Sequence, residues 1–152
     1  MAGFRLTVDL PDEAATASLA EDVAVRLMPG DVIALSGGLG AGKTSFARAL
    51  IRAVADDTVL EVPSPTFTLV QTYPGRIAIA HFDLYRLADG SELDELGFDE
   101  AIAEGAAVIE WPERAANRLP SGRLDIALDI AGTGRRARLV AAGTWASRFA
   151  RS

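Results

Sequence analysis

From Phe4 to Leu10 the chain alternates hydrophobic and polar positions closely enough to predict a strand. The next apolar positions, Leu19, Ala20, Val23, Ala24 and Leu27, recur at helical spacing, so a helix opening at Pro11 and closed by Met28-Pro29-Gly30-Asp31 is expected. Val32 to Ser36 is a short continuous apolar run, the pattern of a strand covered on both faces, and it leads straight into a glycine-rich loop. A helix from Lys43 to about Val54 should follow. Beyond it, Pro63-Ser64-Pro65 is too proline-rich for helix, and Phe67 to Tyr73 with Ile77 to Phe82, joined at Pro74-Gly75, read as a hairpin. Asp89 to Glu104 suits one or two short helices broken at Gly97, Ala106 to Trp111 another buried strand, and Pro112 the start of a further helix. Arg123 to Ile130 and Arg136 to Ala142 flank Gly132-Thr133-Gly134 as a closing hairpin before a last short helix.

Strands alternating with helices predict an α/β fold: one domain over residues 1–152, with a mixed, mainly parallel central sheet flanked by helices and extended by antiparallel hairpins. A length of 152 residues, 49% of them hydrophobic, suits one core. With no cysteine and a single histidine, disulfides, thiol chemistry and Cys-based zinc sites are excluded, so any metal must be hard and oxygen-bound. Met1 to Asp12 lacks the basic and apolar regions of a secretory leader and no apolar stretch is long enough for a membrane span, so a cytoplasmic protein without membrane contact is expected.

Charge is unevenly placed. Met1 to Glu113 carries 19 acids and 7 bases, net −12, whereas Arg114 to Ser152 carries 2 acids and 8 bases, net +6. An acidic body is a poor binder of nucleic acid, whose affinity rests on phosphate neutralisation. Leu87 to Glu113 holds nine acids and no base; it reads as a solvated face or, with Leu93, Leu96 and Phe98 interleaved, as a docking surface for partner proteins. Of the 15 basic residues, 14 are arginine, and Lys43 is the single lysine.

That lysine stands in Gly37-Gly38-Leu39-Gly40-Ala41-Gly42-Lys43-Thr44, which fits G-x-x-x-x-G-K-[ST] between a strand and a helix, the context a phosphate-binding loop requires. Glycines let backbone N–H groups turn toward phosphates at a helix N-terminus whose partial positive charge favours anions. Gly40, Ala41, Gly42 and Ser45 would line the phosphates, Lys43 would reach the β- and γ-phosphates, and the Thr44 hydroxyl would ligate Mg²⁺. A compact ammonium fits inside such a loop where a planar guanidinium does not, which explains a lysine in an arginine-rich chain. No G-x-G-x-x-G can be written across Gly37 to Thr44, so a dinucleotide loop is excluded. With no second lysine for an Asn-Lys-x-Asp guanine reader, ATP is favoured over GTP.

Such a site needs an acid at the end of a buried strand to organise the metal or its water. Asp83, after Ile77 to Phe82, and Glu110, after Ala106 to Ile109, both qualify. His81, with no second histidine, reads as a packed or hydrogen-bonded side chain and not as part of a metal cluster.

Taken in order over nearly the whole chain, Leu39-Gly40-Ala41-Gly42-Lys43-Thr44, Ser64-Pro65-Thr66-Phe67, His81-Phe82-Asp83-Leu84-Tyr85-Arg86 and Glu110-Trp111-Pro112 resemble the TsaE (YjeE) family. Leu10-Pro11-Asp12-Glu13 and Gly134-Arg135 extend the likeness toward both ends. The family is the small ATPase of bacterial tRNA threonylcarbamoyladenosine biosynthesis. The resemblance implies that Lys43 and Thr44 hold phosphate and Mg²⁺, that Glu110 is the Walker B acid and a metal ligand with Asp83 close by, and that Ser64 to Phe67 form a switch. It also implies nucleotide contacts from Thr16, Trp111 and Arg135. It further implies hydrolysis of ATP on the TsaD and TsaB proteins, with tRNA met only through them. One departure is visible: where the family usually has an acid, this chain has Gly38. The rival readings are a small-molecule kinase, which usually needs an arginine-bearing lid that the base-free segment between Arg86 and Arg114 does not supply, and a nucleotide-gated module without hydrolysis, against which Glu110 argues.

Overall fold

The computed structural model describes residues 3–150; Met1-Ala2 and Arg151-Ser152, the ends of the expected domain, lie outside the described residues. Along the chain run β1 (Phe4–Leu10), α1 (Glu13–Ala24), β2 (Val32–Ser36), α2 (Lys43–Ala55), β3 (Val70–Tyr73), β4 (Ile79–Asp83), α3 (Glu92–Glu95) and α4 (Phe98–Glu104). They are followed by β5 (Ala106–Glu110), a 3₁₀ helix (Pro112–Arg118), β6 (Leu124–Ala131), β7 (Gly134–Ala141) and α5 (Thr144–Ala150). The strands form one seven-stranded sheet in the order β1-β7-β6-β2-β5-β4-β3. Its centre, β6-β2-β5-β4, is parallel, and antiparallel β3 on one edge and β7 and β1 on the other complete the mixed α/β sheet that the pattern predicts.

Period-two alternation divides the core between the two faces of this sheet. Ile33, Leu35, Ile79, Val108, Leu124 and Ile126 pack on the side of α1, α2 and α5, whereas Val32, Ala34, Ala80, Phe82, Ala107 and Ile109 pack against Leu93 and Phe98 of the α3–α4 side. The same alternation sends His81, Asp83 and Glu110 to the α2 face. Helix α1 starts where Asp12 Oδ1 accepts the Ala15 N–H at 2.9 Å, an N-cap that fixes the first turn. Helix α5 is held by a bidentate ion pair, Arg148 Nη1 and Nη2 to Asp31 Oδ2 and Oδ1 at 2.7 and 2.9 Å, while Asp31 Oδ2 also accepts the Met28 N–H.

Four expectations need correction. The strand expected from Phe67 begins only at Val70, because the Leu69 N–H donates to Pro65 O at 2.7 Å with Leu69 at φ 69°, closing a turn that leaves Phe67 85% exposed. The strand Ala106 to Trp111 ends at Glu110, since Trp111 sits at φ 60° and its ring turns back over the loop. The helix at Pro112 is 3₁₀, interrupted at Ala115, whose φ of −144° is not helical. Finally, Leu93 and Phe98 are buried, Phe98 packing edge-on against Phe82 with ring centroids 5.9 Å apart, so neither can face a partner; the acids around them, Asp94, Glu95, Asp99 and Glu100, are exposed.

Candidate functional site

The glycine loop joins the tip of β2 to α2, so the N-terminus of a 13-residue helix opens at the C-terminal edge of the parallel strands. Gly42 occupies its N-cap position at φ 102° with no side-chain cap, so no side chain competes for the first helical N–H groups, the donors that an anion takes. Gly37 lies at φ 140°, and a methyl group there would collide with the Leu128 carbonyl of β6; only glycine lets the loop pass this close to its neighbour. Within the loop the Lys43 Nζ donates to Gly37 O at 2.7 Å and Gly38 O at 2.8 Å. It also lies 4.1 Å from the centre of the Trp111 ring, a cation–π contact made possible by the left-handed turn at Trp111. Burial holds the Lys43 pKa below the ordinary lysine value, opposed by the carboxylates of Glu110, Glu113 and Asp83.

The two acids end adjacent parallel strands: Glu110 pairs with Leu35 of β2 on one side and with Asp83 of β4 on the other. Both are buried. The Thr44 hydroxyl, one residue into α2, donates to Glu110, its Oγ1 lying 3.0 Å from Oε1 and 3.1 Å from Oε2. His81 Nε2 approaches Glu110 Oε2 at 2.7 Å. Asp83 is held from a different quarter: Ser64 Oγ at 3.1 Å and Thr66 Oγ1 at 3.3 Å donate to its Oδ2, and the Tyr85 N–H donates to its Oδ1 at 3.0 Å. The Tyr85 ring in turn leans on Trp111 at 4.9 Å.

Gly40, Gly42, Lys43, Thr44, Ser45, Asp83, Glu110, Trp111 and Arg135 border one cleft of about 400 Å³. Ala41 is buried behind it, its N–H turned to Gly38 O. Thr16 lies in a smaller hollow of about 170 Å³ that meets the cleft at Gly42, Ser45 and Arg135. The residues expected to bind nucleotide or metal, from Thr16 to Arg135, therefore lie in or beside these two adjoining hollows. A larger concavity lies elsewhere, about 830 Å³ between α1 and α2, walled by Ala17, Ala24, Ala49 and Ala53. It contains none of the hydroxyl and carboxylate groups described above, so chemistry, not size, picks out the smaller cleft.

Sequence reasoning did not foresee that His81 meets Glu110 or that Ser64 and Thr66 meet Asp83. A signal for the first was present: His81 and Asp83 are two apart on one strand and so share a face. The second depends on how a loop without regular structure folds back across β4, and no spacing in the sequence encodes it.

The comparisons with known proteins agree with this geometry. The family model for "Threonylcarbamoyl adenosine biosynthesis protein TsaE" matches residues 10–138. Among relatives named tRNA threonylcarbamoyladenosine biosynthesis protein TsaE, that of Rickettsia felis is 39% identical over 80% of this chain and 71% of its own length. The Mycobacterium tuberculosis relative is 39% identical over 81% of this chain and 78% of its own, and the Bacillus subtilis relative 38% over 80% and 75%. The crystal structure of Bacillus subtilis YdiB superposes with a TM-score of 0.81 at 27% identity, covering 99% of this chain and 95% of that one. A phosphate-loop motif, two strand-end acids and a likeness that spans the sheet from β1 to β7 converge on one conclusion: the chain belongs to the TsaE family of threonylcarbamoyl adenosine biosynthesis proteins.

Proposed function

We propose that this protein binds ATP with Mg²⁺ in the cleft above β2 and β5 and hydrolyses it in the service of tRNA threonylcarbamoyladenosine formation. The observation that carries the reading is the Thr44 hydroxyl resting on the Glu110 carboxylate at 3.0 and 3.1 Å, beside a glycine loop at an uncapped helix N-terminus. A hydroxyl and an acid so placed are the oxygen donors a hard cation needs next to phosphate. Among the described residues no three His, Asp or Glu side chains group into a metal cage, so a cation here requires ligands from the nucleotide as well, which fits Mg²⁺ entering with ATP. Mg²⁺ supplies charge neutralisation on the phosphates when bound.

In this reading the chain's own groups divide the work. Loop N–H groups and Lys43 hold the phosphates, Lys43 exchanging its two loop carbonyls for phosphate oxygens. Thr44 and Glu110 fix the cation or its water, and Asp83 sits one strand away, where it can orient attacking water. Arg135 and Thr16, bordering the adjoining hollow, suit the nucleoside end, with Trp111 at the cleft edge.

We further propose that the protein acts in the cytoplasm on the TsaD and TsaB proteins and meets tRNA only through them. The exposed acids Asp94, Glu95, Asp99 and Glu100 support this, since they favour a basic protein surface and repel a polyanion. Phosphate release from ATP, measured with and without candidate acceptor molecules and with and without the TsaD–TsaB pair, tests the whole reading. Turnover without any acceptor, raised by the pair and raised less as salt increases, is expected. Phosphoryl transfer to a small acceptor, or tight tRNA binding by the isolated chain at physiological salt, would overturn it.

A further inference from the structure

His81 is the chain's single histidine and is fully shielded from solvent, at 0% exposure, on β4 beneath the cleft. Among the described residues its ring makes one hydrogen bond, Nε2 to Glu110 Oε2 at 2.7 Å, and its buried Nδ1 has no partner. A ring nitrogen that close to a carboxylate oxygen stays there as a donor, so the hydrogen is on Nε2. The orphan Nδ1 costs free energy that an apolar ring would not, and other buried positions on this face of the sheet, Ile79 and Val108 among them, are apolar. Packing alone therefore does not call for histidine here.

Glu110 supplies the reason. The last torsion of a glutamate is broad and roughly two-fold, so nothing intrinsic fixes the plane of its carboxylate. The Thr44 hydroxyl lies almost equally near both oxygens and does not choose between them. His81 does, because it bonds Oε2 alone. We propose that His81 is a positioning residue: by tying Oε2 from below it locks the Glu110 carboxylate plane, leaving Oε1 as the oxygen presented to the cleft and its cation. This rests on the ATP and Mg²⁺ reading above and adds to it a residue that never touches nucleotide or metal. Groups that orient a metal-binding carboxylate commonly matter about 10–100-fold in metal affinity or activity.

The test uses the full chain and two variants. His81→Phe keeps the ring volume and removes the donor, whereas His81→Gln returns an amide N–H near the position of Nε2. Calorimetry of ADP binding with and without Mg²⁺ is the main readout. His81→Phe should bind ADP alone as the unaltered protein does, but lose about tenfold or more of the Mg²⁺-dependent gain, and its kcat should fall with little change in KM. His81→Gln should recover most of both losses. A packing role predicts the opposite ranking, with His81→Phe nearer to the unaltered protein than His81→Gln, and that ranking overturns the proposal. A second measurement needs neither nucleotide nor variant folding. With one histidine, ¹⁵N-imidazole spectra contain one ring, and the proposal requires its Nε2 to carry hydrogen; a ring protonated only at Nδ1 refutes it. Failure of the unaltered protein to bind ATP would sink the functional reading, whereas a wrong tautomer or equal Mg²⁺ gains in all three proteins would sink only the role of His81.

Discussion

Glu110 and Asp83 sit side by side at the tips of neighbouring strands, both buried, yet the two halves of the cleft around them are built differently. Glu110 is gripped by Thr44 of helix α2 and His81 of strand β4, residues whose own positions are fixed by regular structure on either side. Asp83 is gripped by Ser64 and Thr66, which stand on a connection without regular structure, anchored at Val62 and Pro65; Phe67 beside them is 85% exposed and Leu69 lies at a positive φ. The proposed reaction, which binds a cation in one geometry and changes the site between turnovers, would benefit from one firmly held acid and one held by a turn. The contrast puts regular structure around Glu110 and a turn-built connection around Asp83.

The largest effect expected is on the Glu110 half. Lys43→Ala should abolish ATP binding by calorimetry. Lys43→Arg should also be badly impaired, because a guanidinium does not fit between the Gly37 and Gly38 carbonyls and the Trp111 ring. Binding by Lys43→Arg within about threefold of the unaltered protein, under about 1 kcal/mol, would show that the loop is less confining than its geometry implies.

Next comes the comparison itself. Glu110→Ala should cost about a hundredfold in turnover, about 2.7 kcal/mol of transition-state stabilisation, and Asp83→Ala less. Steady-state phosphate release on both variants decides it, and the reverse order would move the metal acid to Asp83.

A smaller and more selective effect is expected of Ser64→Ala combined with Thr66→Ala. Removing both hydroxyls frees Asp83 Oδ2 while leaving the Thr44, Glu110 and His81 contacts in place, so turnover should change by several-fold with the Mg²⁺ requirement intact. A Mg²⁺ requirement shifted as far as in Glu110→Ala would erase the distinction between the halves.

The smallest effect concerns Gly38, where the family usually has an acid. A Cβ at that position meets nothing within 4 Å. Gly38→Glu should therefore leave the melting temperature unchanged and nucleotide affinity within about twofold. A marked loss in either would mean that the loop needs glycine's backbone freedom at Gly38.

What the sequence made legible follows the same division. The phosphate loop, β2 and β5 are written locally, in glycine spacing and in unbroken apolar runs, and they come out at Val32–Ser36 and Ala106–Glu110. Glu110 could be found for that reason, and Asp83 from the apolar run that forms β4. The turn at Leu69 could not, because Phe67, Leu69 and Val70 carry the apolar content of a strand and only the hydrogen bond back to Pro65 O redirects them. Trp111 was misread as strand because a left-handed residue after Glu110 has no side-chain signature when it is not glycine or asparagine. Leu93 and Phe98 looked like surface residues among acids, but their spacing places them on the inward faces of two very short helices.

The strand order has a consequence for how the protein is made. β2, which carries the phosphate loop, borders β6, whose residues come about ninety positions later, and β1 is an edge strand paired with β7. On the ribosome, a nascent chain that has emerged through β5 already has Lys43, Thr44, Asp83 and Glu110 outside, yet one edge of β2 is bare and Gly37 has no Leu128 carbonyl behind it. The residues proposed to meet the nucleotide emerge early and the strands that frame them late. In the proposed reading, ATP binding should thus begin only once the hairpin of β6 and β7 closes the sheet.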